Sequence, residues 1–218
     1  MSITFEQIKN DSAIRTYIEA ADASLKALGY TEHSFAHVGK VSNASAAILE
    51  MLGYGAREIE LAKIAGYMHD IGNLINREEH SQSGAVLAFR ILDKLGMPPE
   101  DIATVVTAIG NHDEGTGVPV NDVAAALILA DKSDVRRSRV RNPDTINFDI
   151  HDRVNYSVTN SRLEMYEDSI RLALTIDTSI SSIMDYFEIF LARMTMCRRA
   201  AEKLGLKFKL TINDQSFI

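Results

Sequence analysis

The run Ala124-Ala125-Ala126-Leu127-Ile128-Leu129-Ala130, followed at once by Asp131 and Lys132, leaves no polar stripe that a helix could turn towards water. A helix over this segment, expected from Asp122 to about Ser138, is apolar on nearly every face and belongs at the centre of a bundle. It carries Asp131 into that centre. A carboxylate buried there is costly unless it is paired or bound to a cation. The chain therefore has to build a layer around this helix and bring positive charge to one acid in it.

The text before residue 142 supplies such a layer. Thr31 can cap a helix in which Phe35, Val38, Val41, Ile48, Leu49 and Leu52 recur at helical spacing, and Gly53 and Gly55 break it. A second helix is expected from about Arg57 to Asp70, with Ile59, Ala62, Ile64, Ala65 and Met68 apolar and Gly72 as its stop. A third runs from about Glu79 to Leu95 and ends at Gly96, Pro98 and Pro99; a fourth runs from Glu100 to about Asn111.

After Asn142-Pro143 the texture changes. Residues 154–159, 170–176 and 208–212 alternate and are rich in strand formers, and a strong helix from about Ser181 to Leu204 lies between the last two. The expectation is a mainly α chain: a helical bundle over 1–142, then a small α+β domain over 143–218 with an antiparallel sheet and one long helix. That helix and sheet would suit a homodimer interface.

Bulk properties exclude some functions. The net charge of -7 is a poor match for nucleic-acid polymers and anionic membranes, so a phosphate-bearing partner would need local cations or a metal. No apolar run is long enough to span a bilayer. MSITFEQIKNDSAIR has early acids and no apolar signal core. The lone Cys197 permits no intrachain disulfide and fits a reducing compartment, so the expected location is the cytoplasm.

Six side chains in the helical half are candidate metal ligands: His37, the adjacent His69 and Asp70, His80, His112 and Asp131. Neutral imidazoles and carboxylates suit zinc, iron, manganese and related ions. Neighbours in a helix point about 100° apart, so His69 and Asp70 converge on one ion most easily at a helix end. Asp70 has two oxygens and could bridge two ions. A single His on a helix is usually a surface or core residue, so only the conjunction argues for a site.

That ordered set, with its flanking text, resembles the HD-domain superfamily of metal-dependent phosphohydrolases. His37-Val38-Gly39-Lys40-Val41 is similar to the first-histidine helix of the family. Tyr67-Met68-His69-Asp70-Ile71-Gly72 resembles its HDIG segment, and Ile128-Leu129-Ala130-Asp131-Lys132 resembles the segment holding its last Asp. His80 and His112 resemble the subset with two-metal sites, which includes dinucleoside-polyphosphate hydrolases, cyclic-dinucleotide phosphodiesterases and a few diiron oxygenases. The resemblance covers about residues 30 to 140.

It implies one or two divalent transition ions (Fe, Mn, Zn, Co or Ni), a small phosphorylated substrate, and an activated water as nucleophile, with Asp70 and His69 at the reacting centre. Two rivals use the same scaffold: a diiron oxygenase, and a regulatory binding protein with an inert site. Many relatives carry Lys after HDIG where this chain has Asn73.

Among basic residues, Arg77, Lys132, Arg136 and Arg137 are candidate substrate contacts. The run Arg136, Arg137, Arg139, Arg141 could equally be a helix end carrying cations that suit the dipole. Lys132 and Asp134 are expected to be ion-paired beside the site. Other residues have plainer readings: His33 as a helix-start residue, His151-Asp152 as structural, Asp113 and Glu114 as a solvated loop, and Met184, Met194 and Met196 as core of the last helix. Cys197 reads as a buried inert thiol despite Arg198 and Arg199.

Overall fold

The computed structural model describes residues 3–147 and 149–218. Two helices precede the segment at which the helical pattern was first legible. The first, α1 (Phe5–Asn10), opens on a capping box in which Thr4 accepts from Gln7 N and the Gln7 side chain accepts from Thr4 N. Asp11 then caps α2 (Ser12–Ala27), whose buried Ile14, Ile18, Ala21 and Leu25 share one face.

The bundle continues with α3 (Phe35–Met51), α4 (Ala56–Met68), α5 (His80–Lys94), α6 (Pro99–Gly110) and α7 (Asp122–Lys132). The cap of α3 is Ser34, not Thr31; its hydroxyl accepts from Ala36 N. Every residue of α7 from Val123 to Lys132 is buried, and the helix packs against α3, α4, α6 and a later helix, as its apolar composition requires. It ends at Lys132 and not near Ser138. Ser133 caps it, Val135 returns to the core, and a 3-10 turn occupies Arg137–Arg139.

The C-terminal part begins with a further 3-10 turn at Pro143–Asn147 and a helix α8 (Ile150–Ser157). Part of the stretch expected as a strand is thus helical. The Asp149 carboxylate accepts from His151 N and Asp152 N, and this cap commits the next turns to helix, with Val154 and Asn155 buried. Strand β1 starts only at Val158 (Val158–Met165), followed by β2 (Ser169–Ile176), the long helix α9 (Ile183–Lys203), β3 (Lys207–Ile212) and the short β4 (Gln215–Ser216).

The sheet order is β1-β2-β3-β4, and the pairing is mixed rather than antiparallel: β1 with β2 and β3 with β4 are antiparallel, but β2 with β3 is parallel. The reason is the crossover. A helix the length of α9 spans about 30 Å, enough to carry the chain back along β2 and start β3 at the same end. Helix α9 packs on both this sheet and α7, and one buried apolar cluster runs from Ile8 through α7 to Ile212. Among the described residues no helix is long and apolar enough to cross a membrane.

Two glycines set the bundle's tightest approaches. A Cβ on Gly66 would lie 2.7 Å from Ser42 Cα, so α3 and α4 touch backbone to backbone there. A Cβ on Gly72 would lie 1.9 Å from the His80 carbonyl oxygen, so the 3-10 turn Ile71–Leu74 lies directly against the start of α5. Gly72 therefore lets the Asp70 and His80 segments meet; it is more than a helix stop.

Candidate metal centre

The bundle brings all six candidate ligands together. His37 comes from the first turn of α3, His69 caps the end of α4, and Asp70 follows it as the helix gives way to the 3-10 turn. His80 opens α5 behind Glu79, which sits in the left-handed region at φ 56°. His112 lies just past α6, and Asp131 is in the last turn of α7. All six are buried, with exposures between 0% and 8%, so none is a solvated surface group.

Two sets of donor atoms form around Asp70. On one side, His37 Nε2 lies 3.3 Å from His69 Nε2, 3.5 Å from Asp70 Oδ2 and 3.4 Å from Asp131 Oδ1. His69 Nε2 lies 3.2 Å from Asp70 Oδ2 and 3.7 Å from Asp131 Oδ1. On the other side, His80 Nε2 lies 3.2 Å from His112 Nε2 and 3.5 Å from Asp70 Oδ1, with His112 Nε2 4.0 Å from the same oxygen. Ligands around an ion with bonds of about 2.1 Å stand roughly 3.0–3.4 Å apart, so all these spacings but the 4.0 Å between His112 and Asp70 fit one within a few tenths of an ångström.

The histidine tautomers give a sharper test. Each Nδ1 faces an atom that can only accept: Asp134 Oδ2 for His37 at 2.8 Å, Gly66 O for His69 at 2.8 Å, Arg77 O for His80 at 3.0 Å and Ile109 O for His112 at 2.7 Å. Each ring therefore carries a proton on Nδ1. A neutral ring then has a bare lone pair on Nε2, and the Nε2 atoms face one another in pairs. Facing lone pairs repel unless a cation stands between them. The donor set fits a transition metal.

The electrostatics agree. Burial alone would push His69 down, but the Asp70 and Asp131 carboxylates outweigh it and hold it up at about 10. His37 is likewise raised against burial, by Asp131, Asp134 and Asp70. Burial opposes ionisation of Asp70 and Asp131, yet the imidazoles around Asp70, and Lys132 with the imidazoles around Asp131, keep both well below the usual carboxylate range. His112 is lowered by burial and by the charge of His69, and His80 by burial and then Arg77 against the pull of Asp70. Without an ion, the cluster keeps its acids charged and draws a proton onto His69.

A second layer of contacts orients the donors. Asp134 holds His37 and is itself bound by Lys40 Nζ at 2.7 Å and Arg136 Nε at 3.0 Å. Asn73 donates to Asp70 Oδ1 at 3.0 Å and to the Asp70 carbonyl at 2.9 Å, bracing the central carboxylate. Lys132 is buried between Asp131 Oδ2 at 2.8 Å and Glu114 Oε2 at 3.3 Å, and Glu114 also accepts from Arg193 Nε at 2.8 Å. Glu114 is thus part of the site's ion-pair network and not a solvated loop residue; Lys132 and Arg193 hold its carboxyl far below its usual range against burial.

Asp70, His80, His112 and Asp131 line a cavity of about 370 Å3. Arg77 and Lys132 line it. Arg136 and Arg137 do not. Arg136 is engaged by Glu32 Oε2 at 2.9 Å and by Asp134. Arg137 donates to the Tyr156 carbonyl at 2.6 Å, lies over that ring and sits 3.7 Å from Asp177. The end of α7 before residue 138 turns both away. The cations that face the cavity in their place are Arg139 and, from α9, Arg193. His33 also lines it, edge-on to His37 with centroids 5.4 Å apart, and the lead-in and first turns of α8 bring Asp149, His151, Asp152 and Asn155 to its wall. The α8 and α9 residues reach this wall only through tertiary packing, which no local signal in the sequence encodes.

Comparison with known proteins agrees with this arrangement. The family model of the HD domain matches residues 34–142, half of the chain. The chain belongs to the HD-domain family. It is also similar to an uncharacterized protein, MJ1020, of Methanocaldococcus jannaschii, with 24% identity over 187 residues that cover 75% of this chain and 70% of the relative.

Proposed function

We propose that this protein is a metal-dependent phosphohydrolase acting on a nucleotide or another small phosphorylated metabolite. The observation that carries the reading is the convergence of four imidazole Nε2 atoms and two ionised carboxylates beside a cavity lined with Arg77, Lys132, Arg139 and Arg193. His37, His69, Asp70 and Asp131 would hold one ion; His80 and His112 would hold a second, with Asp70 between them. When bound, such ions supply a water of lowered pKa and positive charge at the phosphoryl oxygens.

The protein's own residues supply the rest. Asp134 and the three backbone carbonyls fix the imidazole tautomers, Asn73 fixes Asp70, and Lys132 fixes Asp131 through the oxygen that faces away from His37. Second contacts of this kind set ligand basicity and ring orientation. Arg77 stands 3.5 Å from His80 Nε2 and has phosphoryl oxygens within its reach. The cavity's size suits a nucleotide-sized ligand, and the net charge of -7 disfavours long nucleic acid.

The same donors could hold a diiron oxygenase centre; the cationic lining is what favours phosphate. An inert site is disfavoured because every candidate ligand is present and turned inward. The test is a panel of nucleotides and small phosphate esters offered with manganese, cobalt, iron or chelator. Phosphate or nucleotide release that stops with chelator supports the reading. Oxygen consumption with iron, and no ester turned over under any metal, would replace it with the oxygenase.

A further inference from the structure

Arg139 is the cation that this site leaves unbalanced. It is 5% exposed and lines the cavity wall. Its Nε donates to the Glu32 carbonyl at 2.9 Å and its Nη1 to the Asp134 carbonyl at 2.9 Å. Both partners are neutral. Among the described residues it makes no ion pair with a carboxylate. The nearest acids are committed elsewhere: Asp134 to His37, Lys40 and Arg136, and Glu32 to Arg136 and Ser34. Two carbonyls thus aim the guanidinium without neutralising it.

Its charge is balanced only at a distance. Burial opposes it, and the fields of Asp134, Asp131 and Asp70 offset that in part. Cations on Asp70 and Asp131 would cancel two of those fields. The metallated site would then hold a buried guanidinium whose remaining counter-charge, Asp134, is shared with His37, Lys40 and Arg136, and an open cavity in front of it. An anion entering the cavity supplies that charge.

We infer that Arg139 builds a buried anion subsite beside the metal cluster, which receives a phosphoryl or phosphate group of the ligand. The inference rests on the phosphate reading above and names the residue that gives it selectivity. Arg139 is charged at every relevant pH and offers a planar fork that matches a phosphate edge. Arg77, on the His80 side, has no such buried support and is the outer contact. Metal and phosphate should bind cooperatively, because each restores the charge balance the other removes.

The experiment titrates inorganic phosphate into manganese-loaded protein by calorimetry, for wild type, Arg139→Gln, Arg139→Lys and the exposed-surface control Arg90→Gln, with metal content measured alongside. The inference predicts that phosphate binds wild type and Arg90→Gln alike. It predicts binding at least about tenfold weaker in Arg139→Gln at unchanged metal content, and an intermediate loss in Arg139→Lys, which keeps charge but not the fork. Wild-type phosphate affinity in metallated Arg139→Gln would overturn it while leaving the hydrolase reading intact. Should Arg139→Gln fail to fold, undiminished affinity in Arg139→Lys overturns it equally. If wild type binds no phosphate and turns over no ester, both readings fall.

Discussion

His80 and His112 face each other with their Nε2 atoms 3.2 Å apart, and neither has a hydrogen there to share, because each Nδ1 donates to a backbone carbonyl. The pair is brought together by the start of α5 and the residues just past α6, and each ring is held by its own backbone carbonyl. Loaded wild type is therefore expected to carry two ions. His80→Ala or His112→Ala should carry one, retained by His37, His69, Asp70 and Asp131. Asp70→Ala should lose the second ion and weaken the first. Elemental analysis of the purified variants checks this; two ions in His112→Ala would contradict it.

Asp134 touches no donor position directly, yet it fixes the His37 tautomer. Asp134→Asn keeps the shape and removes the charge, and the amide can present its NH2 to His37. Metal affinity should fall about 10–100-fold, as for other changes behind a metal-binding histidine. Competition with a chromophoric chelator measures it, and an unchanged constant would remove Asp134 from the account.

The proton on His69 gives the metal-free protein a pH signature. Its folded value, about 10, lies above the ordinary imidazole value of about 6.5. The stabilisation it contributes is complete below about 6.5 and is lost as pH rises through about 10. Metal-free protein should thus lose thermal stability across that window, and metal binding near neutral pH should release a proton. Loaded protein should lack this slope. Melting curves of both forms between pH 6 and 10 decide it; parallel curves would be the contrary result.

Gly72 and Gly39 make a matched pair. A Cβ at Gly72 collides with the His80 carbonyl, whereas a Cβ at Gly39 meets nothing within 4 Å. Gly72→Ala should destabilise by about 3 kcal/mol or more and loosen the second ion. Gly39→Ala, in the interior of α3, should stabilise by about 0.5–1 kcal/mol. Denaturant unfolding of the metal-free variants reads both signs.

Cys197 is 1% exposed and its thiol is pushed up to about 12 by burial, against the neighbouring charges of Arg193 and Lys132. Arg198 and Arg199 do not activate it. An aromatic disulfide reagent at pH 8 should leave native protein unlabelled and modify it once denaturant is added. Rapid labelling of the native form would show that α9 opens.

Much of this site could be read from the chain because its signals are local. An all-apolar helix ending in Asp131 announces a buried acid, and the histidines mark helix ends. What escaped reading depends on which distant elements meet. Arg193 reaches Glu114 only because α9 packs on α7, and Arg139 faces the cavity only because α7 stops at Lys132. The four arginines after Asp131 are equivalent in sequence; packing alone separates Arg139 from Arg136 and Arg137. The parallel pairing of β2 with β3 was hidden for the same reason, since it follows from the path of α9. At Val154–Ser157 the alternation matched a strand, and the Asp149 cap overrode it.

The central claim is that a water-derived nucleophile attacks phosphorus at the His/Asp cluster. It is tested most directly by turning over the best ester of the panel in 18O-water with manganese-loaded wild type, and reading the label by mass spectrometry. The account predicts one labelled oxygen in the released phosphate or nucleotide phosphate, none in the alcohol product, and no release at all by Asp70→Ala. Label in the alcohol, or full turnover by Asp70→Ala, would contradict it.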